Sequence, residues 1–380
     1  MTIHDTDERF LHQALDLARQ GIGLTSPNPC VGVIIVDAKG AIVGAGSHTY
    51  DGVKHAEILA LEQAGEKARG GTLYINLEPC SHQGRTAPCA DALIAAGISR
   101  VVACMEDPNP LVSGQGFAKL RSAGISVSSG ILEEQAKTLN ESFARYIRHH
   151  IPLVTLKAAM TLDGKIAPPP GSSPHPATAN WITGESARTH VQELRHQNDA
   201  ILIGVGTVIA DDPLLTDRSG RPRRRPLLRV ILDSRLRLPI ESRVVKTAQD
   251  DVLVLCSSPE DNKKQQLLEL GIRVHQLPTT ATDGCPDIAA VVRLLGETKI
   301  TSMMIEGGAT VNASALSANI VDKVFLYYAP RILAGTASVP FAGGAGFKSI
   351  SDAACVKSIR LHRLGEDFAV EGYLKDPYAD

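Results

Sequence analysis

The stretch VKHAEILALEQAG, Val53 to Gly65, places a histidine and a glutamate two residues apart where an amphipathic helix begins. The stretch LEPCSHQGRTAPCADAL, Leu77 to Leu93, places one cysteine after a strand and a second at the start of another helix. Zinc favours imidazole and thiolate ligands, and a catalytic zinc site keeps one position for water. Together the two stretches predict a zinc site formed by His55, Cys80 and Cys89.

Glu57 gives this predicted site a catalytic purpose. Beside the metal, it can take a proton from the activated water and pass it to a leaving nitrogen. Zinc deaminases of nucleobases carry H-x-E on one helix and a P-C pair at the next. A structural zinc usually has a fourth protein ligand, and none is obvious nearby, since Cys104 ends a strand and is a core candidate. We therefore predict that Glu57 is catalytic.

The segments around these helices predict a first domain that ends near residue 150. CVGVIIVDAKGAIVGAGSH is typical of a hairpin that turns at Ala38 to Gly40. The predicted order of elements, β-β-α-β-α-β, indicates a mixed sheet covered by helices. EEQAKTLNESFARYIRHH predicts a further helix that closes the unit.

A second domain is predicted from IPLVTLKAAMTLDGKIA onward. Strands are expected at AILIGVGTV, LLRVILDS, DVLVLCS, IRVHQL and SMMIEGG, with helices between them, which indicates an α/β domain. Pro168 to Pro176 must be a loop, because neither a helix nor a strand ladder tolerates this density of proline. The loop is expected just after the first strand of the second domain.

Length, charge and cysteine usage exclude several classes of function. The 380 residues suggest two domains, and a net charge of −2 provides no general attraction to nucleic acid or to an anionic membrane. No apolar run approaches the ~20 residues that cross a bilayer, and the polar N-terminus is not a secretory signal. Seven scattered cysteines favour reduced thiols in a cytoplasmic enzyme.

The arginines of residues 218–225 are the one dense basic cluster. They are interleaved with prolines and lack the aromatic side chains on which bases would stack. A solvated loop is the first interpretation and attraction of phosphate the second. We expect small-molecule substrates, with no nucleic-acid and no membrane partner, and a homo-oligomer, either a dimer or a tetramer.

Four motifs carry a resemblance that covers most of residues 5–150: PNPCVG, HAE, LEPCSHQGRTAPC and DPNP. They resemble the cytidine deaminase-like superfamily and, within it, the deaminase half of the bifunctional riboflavin-biosynthesis deaminase/reductases. The resemblance implies a mixed sheet with helices on both faces. It also implies that Asn28, His48 and His82 contact the aminopyrimidine, with Gln83 and Arg85 near the ribose phosphate. The alternatives are a turn residue for Asn28 and an exposed strand end for His48.

In the second half, SMMIEGGATVNASAL runs from an apolar strand through Gly307 and Gly308 into a helix. Glycines at such a junction allow backbone N–H groups to approach a phosphate, but the pattern is not the Rossmann G-x-G-x-x-G. LKAAMTLDGKIA, WITGE, GVGTVIADDPLLTDR, VILDS and IEGG resemble the reductase half of the same enzymes. This resemblance covers roughly residues 151–375 and implies a dihydrofolate reductase-like α/β domain that uses NADPH.

The resemblance also assigns the reductase residues. Those implied to face NADPH are Met160, Trp181, Thr207, Asp211, Ser234, Gly308, Ala309 and Thr310. Those implied to face the substrate are Lys157, Arg195, Leu215, Arg218 and Glu306. The alternatives are a core position for Trp181 and a solvated helix face for Arg195.

The two resemblances together imply a bifunctional enzyme. Residues 1–150 would hydrolyse the 2-amino group of 2,5-diamino-6-ribosylamino-4(3H)-pyrimidinone 5′-phosphate with Zn²⁺. Residues 151–380 would then reduce the ribosyl group to ribityl with NADPH, which gives 5-amino-6-(5-phospho-D-ribitylamino)uracil. Two alternatives stay open: a tRNA or DNA base deaminase with a C-terminal binding module, and a non-catalytic zinc-stabilised protein.

Overall fold

The computed structural model describes residues 3–82, 87–172, 181–279 and 284–380. Gln83, Arg85 and the last part of the proline-rich loop lie outside these described residues. The chain divides into two compact units. The first comprises Met1–His149, Pro222–Arg225 and Asp380, and the second comprises His150–Arg221 and Pro226–Ala379.

The first unit is a five-stranded sheet with helices between its strands. Its helices are α1 (Ile3–Arg19), α2 (Ala56–Ala64), α3 (Cys89–Ala96), α4 (Gln115–Ser122) and α5 (Glu133–His149). Its strands are β1 (Gly32–Val36), β2 (Ile42–Ser47), β3 (Thr72–Ile75), β4 (Arg100–Ala103) and β5 (Ser126–Ser129), in the order β2-β1-β3-β4-β5. β1 is antiparallel to β2 and β3, whereas β3, β4 and β5 are parallel. The mixed sheet and the hairpin turn at Ala38–Gly40 are confirmed.

Alternation along β1 sends side chains to the two faces of this sheet. Val33 and Ile35 pack in one apolar cluster with buried residues of α2, α3 and α4. Gly32 belongs to the opposite face, where α1 approaches so closely that a Cβ on Gly32 would lie 2.1 Å from the carbonyl oxygen of Ala14. The sheet is therefore covered by helices on both faces, and α2 and α3 bring their N-terminal ends to the same face.

The second unit is built on a nine-stranded sheet. Its strands are β6 (Leu153–Thr161), β8 (Ala200–Gly204), β9 (Leu228–Leu232), β10 (Val252–Cys256), β11 (Arg273–Gln276), β12 (Ser302–Ile305), β13 (Lys323–Ala329), β15 (Lys357–Leu364) and β16 (Asp367–Tyr373). Their order is β11-β10-β9-β8-β12-β6-β13-β16-β15, and β7 (Lys165–Ala167) pairs separately with β14 (Val339–Pro340). The helices are α6 (Glu185–Gln197), α7 (Val205–Asp211), α8 (Arg243–Lys246), α9 (Asp261–Glu269), α10 (Ile288–Glu297) and α11 (Ala309–Ser317).

The central parallel strands of this sheet are buried on both faces, whereas the edge strand β11 is largely exposed. Ile201 and Ile203 of β8 pack in one apolar cluster, and Ala200 and Leu202 of the same strand pack in the other. Strands buried in this way have continuous apolar sequences, which is why AILIGVGTV and SMMIEGG could be assigned as strands from the sequence. All five strands expected after residue 199 are present.

Two further expectations are decided by the fold. Among the described residues, no helix is both long enough and apolar enough to span a bilayer.

The solvated-loop interpretation of the arginine cluster is wrong for Arg224, which belongs to the first unit. Its guanidinium lies 3.8 Å from the ring centre of Tyr50, and it donates to the carbonyl oxygen of Ser26 at 3.1 Å. Arg221, in contrast, is exposed.

Candidate metal centre and reductase site

The three expected zinc ligands converge in the first unit. His55 is the residue before α2, Cys89 is the first residue of α3, and Cys80 lies in the loop after β3. Nδ1 of His55 lies 3.6 Å from Sγ of Cys80 and 3.2 Å from Sγ of Cys89. Within the described ranges, this is the only group of three such side chains close enough to hold a metal ion.

These distances fit a tetrahedral zinc ion. Bond lengths of about 2.3 Å to sulfur and about 2.0 Å to nitrogen, at tetrahedral angles, place a sulfur and a nitrogen ligand about 3.6 Å apart. All three ligand atoms lie within 4.8 Å of one another. Three protein ligands leave one tetrahedral position, as a catalytic zinc site requires.

Hydrogen bonds to Cys80 favour its thiolate. The Cys89 thiol donates to Cys80, which lowers the pKa of Cys80 well below its ordinary value, and the Cys89 backbone N–H donates at 3.2 Å from the start of α3. Cys80 in turn raises the pKa of His55. The pKa of Cys89 rises because its proton is held by Cys80 and because it is buried. A dication would replace that shared proton and bind both sulfurs.

Glu57 lies in the first turn of α2 and is buried beside the triad. Burial, then the negative charge of Cys80, raise the pKa of Glu57 to about 7. The carboxyl group also hydrogen-bonds to Cys89. Glu57 is therefore placed next to the ligands without belonging to the metal-binding group, where it can accept or release a proton.

Asn28 and His48 form a hydrogen-bonded pair near this centre. Nδ2 of Asn28 lies 3.0 Å from Nε2 of His48, and Nδ1 of His48 lies 3.0 Å from the carbonyl oxygen of Lys54. The His48 ring meets the His55 ring edge to face at 5.4 Å. Since His48 is buried, its interpretation as an exposed strand end is wrong. His82, the third residue expected at the pyrimidine, is exposed at the edge of the described segment.

Glu78 is a structural element of this site that the motif analysis overlooked. Its buried carboxylate accepts the backbone N–H groups of Asp107 at 3.0 Å, Gly114 at 2.9 Å and Phe117 at 3.0 Å. It thereby fixes the DPNP segment and the start of α4. The signal was its position immediately before Pro79-Cys80, in the loop after β3, where a buried acidic side chain needs hydrogen-bond partners.

In the second unit, Glu306 is the centre of an ion cluster. Its carboxylate accepts Nε of Arg195 at 2.7 Å and Nη2 at 3.1 Å, and Nζ of Lys157 lies 3.4 Å away. Burial alone would raise the pKa of Glu306, but the charges of Arg195 and Lys157 outweigh it and hold the pKa at about 2. Arg195 is buried, so its interpretation as a solvated helix face is wrong.

Leu215 and Arg218 lie on the segment after α7. Arg195 also donates to the carbonyl oxygen of Thr216 at 3.0 Å, which ties this segment to the cluster. The Leu215 side chain is buried in the core and its backbone has a φ of 57°. Only the backbone of Leu215 is thus left to contact a ligand, whereas Arg218 is exposed.

The two glycines after β12 differ in their surroundings. A Cβ on Gly307 would lie 2.6 Å from Cβ of Val311, so this position is closed by the protein itself. A Cβ on Gly308 would lie 3.5 Å from Oγ1 of Thr207, an ordinary contact. Gly308 and Thr207, both expected to face NADPH, are therefore neighbours, and Ala309 and Thr310 open α11 beside them.

The other expected cofactor residues are spread over the unit. Met160 is buried in β6, and Asp211 is exposed at the end of α7. Trp181 is 57% exposed, so its interpretation as a core residue is wrong. The carbonyl oxygen of Ser234 accepts the N–H groups of Ser257 and Ser258. These four residues lie on four different segments of the unit.

Two family models match the chain. The one described as "Cytidine and deoxycytidylate deaminase zinc-binding region" matches residues 4–105, and the one described as "RibD C-terminal domain" matches residues 152–370. Among curated proteins, the Riboflavin biosynthesis protein RibD of Aquifex aeolicus is 41% identical over 368 residues, which is 97% of this chain and 98% of that protein. The protein of the same name from Escherichia coli is 39% identical over 376 residues, 95% of this chain and 97% of its own length.

Solved structures are similar over nearly the whole chain. Acinetobacter baumannii RibD has 35% identity and a TM-score of 0.82, covering 97% of this chain and 99% of its own. A diaminohydroxyphosphoribosylaminopyrimidine deaminase/5-amino-6-(5-phosphoribosylamino)uracil reductase from Thermotoga maritima has 35% identity and a TM-score of 0.81, covering 98% and 99%. The α/β fold class expected for both halves is thereby confirmed.

Proposed function

This chain belongs to the RibD family of bifunctional deaminase/reductases of riboflavin biosynthesis, and we propose that residues 1–150 carry the deaminase and residues 151–380 the reductase. The convergence of His55, Cys80 and Cys89 beside a buried Glu57 supports the first assignment. The match of the RibD C-terminal domain to residues 152–370 supports the second.

The deaminase substrate we propose is 2,5-diamino-6-ribosylamino-4(3H)-pyrimidinone 5′-phosphate. The support is the description of the Thermotoga maritima enzyme and its coverage of almost the whole chain. His55, Cys80 and Cys89 would hold Zn²⁺, and Asn28, His48 and His82 would hold the ring. Gln83 and Arg85 are proposed near the phosphate from the family resemblance alone.

The proposed deamination is a hydrolysis. Bound Zn²⁺ supplies the Lewis acidity that makes water nucleophilic at neutral pH. Water adds to the ring carbon that bears the 2-amino group, and ammonia leaves. Glu57 takes the proton from the water and delivers it to the departing nitrogen, which is why it must lie beside the ligands and stay outside the metal-binding set.

The reductase half implies a nicotinamide cofactor, and we propose that it is NADPH. Because Gly308 has no side chain, the cofactor could approach the backbone closely at this position, beside Thr207. The other residues that we propose along the cofactor are Met160, Trp181, Asp211, Ser234, Ala309 and Thr310.

Lys157, Arg195, Leu215, Arg218 and Glu306 are proposed on the substrate side of the reductase. The reduction adds a hydride and a proton to the ribosylamino group; NADPH supplies the hydride when bound. Lys157, whose ammonium group lies 3.4 Å from Glu306, is our candidate for the proton donor. Arg195 and Glu306 would orient the substrate, because their fixed bidentate geometry defines a rigid polar surface.

We also propose a cytoplasmic homo-oligomer without nucleic-acid or membrane partners. No disulfide joins the cysteines of the described residues, which supports a reducing compartment. β15 is the last strand of the nine-stranded sheet, and it exposes Ile359 by 58% and Leu361 by 73%. Natural edge strands of this kind are usually covered, and a second copy of the chain would cover it in a dimer or a tetramer.

Incubation of the protein with the diaminopyrimidinone phosphate tests the proposed function. Without NADPH, mass spectrometry should show the deaminated ribosylaminouracil phosphate and one equivalent of ammonia. With NADPH, it should show the ribityl product. Absence of ammonia from a zinc-loaded protein would contradict the deaminase assignment, and accumulation of the ribosyl compound with NADPH present would contradict the reductase assignment.

A further inference from the structure

The backbone of Cys30, in the first unit, is held by three side-chain hydrogen bonds. Cys30 follows the loop Pro27–Pro29, which we call the Asn28 loop. Its backbone N–H donates to Oδ1 of Asn140 at 2.8 Å. Its carbonyl oxygen accepts Nδ2 of Asn140 at 3.1 Å and Nδ2 of Asn76 at 2.9 Å. The side-chain amides of two buried residues, Asn140 and Asn76, thus satisfy both the N–H and the carbonyl oxygen of Cys30.

Asn140 leaves regular helical geometry at this contact. It lies within α5, yet its dihedral angles are φ −110° and ψ 16°, and the helix is kinked there. Helix kinks have identifiable causes, such as a side chain that disturbs the backbone ladder. The oxygen of the Asn140 amide accepts the N–H of Cys30, and its nitrogen donates to the carbonyl oxygen of Cys30. The two residues are 110 positions apart in the chain.

Asn76 connects the carbonyl oxygen of Cys30 to the end of β3, the strand that precedes Cys80. It follows β3 directly, and its Oδ1 accepts the N–H of Gly32 at 2.9 Å. Four residues later the chain reaches Cys80. The side chain of Asn76 therefore adds one hydrogen bond beyond the last paired residues of β1 and β3. It ties the Asn28 loop to the segment between β3 and Cys80.

We propose that Asn140 and Asn76 are positioning residues of the deaminase, which hold the Asn28 loop so that Asn28 meets the pyrimidine. The inference rests on the proposed function, in which Asn28 contacts the substrate. Neither residue is a candidate metal ligand, and neither has been assigned a contact with Glu57. Their effect should therefore appear in substrate binding and leave the metal in place.

A merely stabilising role predicts a different result, and a control within the same unit separates the two. The hydroxyl of Tyr74 donates to Asp7 at 2.9 Å, and this buried bond also ties distant elements together. Tyr74→Phe deletes one buried hydrogen bond without touching the Asn28 loop. It should lower the melting temperature and leave the KM of deamination unchanged.

The test compares Asn140→Ala, Asn140→Asp and Tyr74→Phe in the full-length, zinc-loaded protein. Asn140→Ala should raise the deaminase KM about tenfold, the scale expected when a binding group is misplaced, while kcat changes less than about threefold. Asn140→Asp keeps the acceptor for the Cys30 N–H but sets a carboxylate oxygen against the Cys30 carbonyl oxygen, so its KM should rise at least as far as that of Asn140→Ala. Zinc content and NADPH oxidation with deaminated substrate should match wild type in all three.

Each outcome decides the proposal. A wild-type KM in a destabilised Asn140→Ala protein overturns it, because the residue would then be structural only. An equal rise of KM in Tyr74→Phe overturns it as well. If Asn140→Ala loses zinc, Asn140→Asp carries the test, and zinc loss in both variants overturns the proposal. Failure of the wild-type protein to deaminate would instead contradict the proposed function.

Discussion

The two candidate sites differ in how the chain builds them. In the first unit, the proposed metal ligands His55, Cys80 and Cys89 come from one stretch of sequence and meet where α2 and α3 begin. In the second unit, Lys157, Arg195 and Glu306 come from β6, α6 and the end of β12, and up to 149 residues separate them. A site made locally leaves a motif with fixed spacing, whereas a site made by sheet topology does not.

The two sites also differ in charge balance. The thiol groups of Cys80 and Cys89 share a proton with each other, and Cys80 is also hydrogen-bonded to His55. Binding of a dication would release these protons. In the second site, two cations already compensate the carboxylate of Glu306, which stays ionised. The first site should therefore depend on an added ion, and the second should be held together by its own side chains.

Loss of a metal ligand is the largest effect that this comparison predicts. Cys80→Ser should lose most of the zinc, and ammonia release should fall to background, because serine does not replace a thiolate on zinc. Metal analysis and an ammonia assay measure both quantities. Cys355→Ser, the same change at an exposed cysteine, is the control and should keep both. Full zinc retention in Cys80→Ser would remove this residue from the ligand set.

The second prediction concerns the cofactor side of the reductase. Gly308→Val should raise the KM for NADPH at least about tenfold, a scale typical of misfitting groups in a binding pocket, because its side chain would occupy the space beside Thr207. Ammonia release should continue. Gly307→Ala is the control: its Cβ would meet Val311, so it should lower the melting temperature. A normal KM in a folded Gly308→Val protein would show that the cofactor lies elsewhere.

The third prediction concerns stability. Glu306→Gln removes the carboxylate that accepts two hydrogen bonds from Arg195 and so breaks a buried ion pair, which costs about 3–5 kcal/mol. Denaturant unfolding followed by a probe of the second unit measures the change. Glu241→Gln, which removes an exposed partner of Lys246, should change nothing measurable. Equal stability of Glu306→Gln and wild type would mean that the cluster is solvated.

The same carboxylate predicts the direction of a pH effect. The pKa of Glu306 is about 2 in the folded protein, below about 4.3 for an unperturbed glutamate. Its stabilisation is therefore fully present above the unfolded pKa and is lost as pH falls toward 2. The difference in free energy of unfolding between wild type and Glu306→Gln should therefore become smaller as the pH falls from about 5 to about 3, between the unfolded and the folded pKa of Glu306. A constant difference across this range would contradict the assignment.

Sequence reasoning was strongest where chemistry and local structure coincide. The spacing of His55, Glu57, Cys80 and Cys89 predicted a metal site, because ligands at helix starts need few residues to converge. Apolar runs predicted the buried strands of both sheets. Arg195 and Glu306 could be named only by family resemblance, since their pairing depends on the parallel arrangement of β8 and β12, which no local pattern encodes.

The residues that hold the site were the hardest to predict. Asn76 and Asn140 form hydrogen bonds with backbone groups, and backbone partners leave no trace in residue types. Asn140 also lies inside a sequence that predicts an ordinary helix. The kink of α5 at Asn140 occurs where this residue contacts the backbone of Cys30, 110 residues earlier. Such positions are specified by the folded arrangement and not by spacing.

The central claim is that one chain carries two chemistries that share no residue. The most direct test is Glu57→Gln, with its fold checked by its melting transition and its zinc by metal analysis. Ammonia release should fall at least about 10²-fold, the usual scale for loss of a general acid–base group. NADPH oxidation with the already deaminated ribosylaminouracil phosphate should stay at the wild-type rate. A parallel loss of NADPH oxidation in the folded, zinc-loaded variant would contradict the claim.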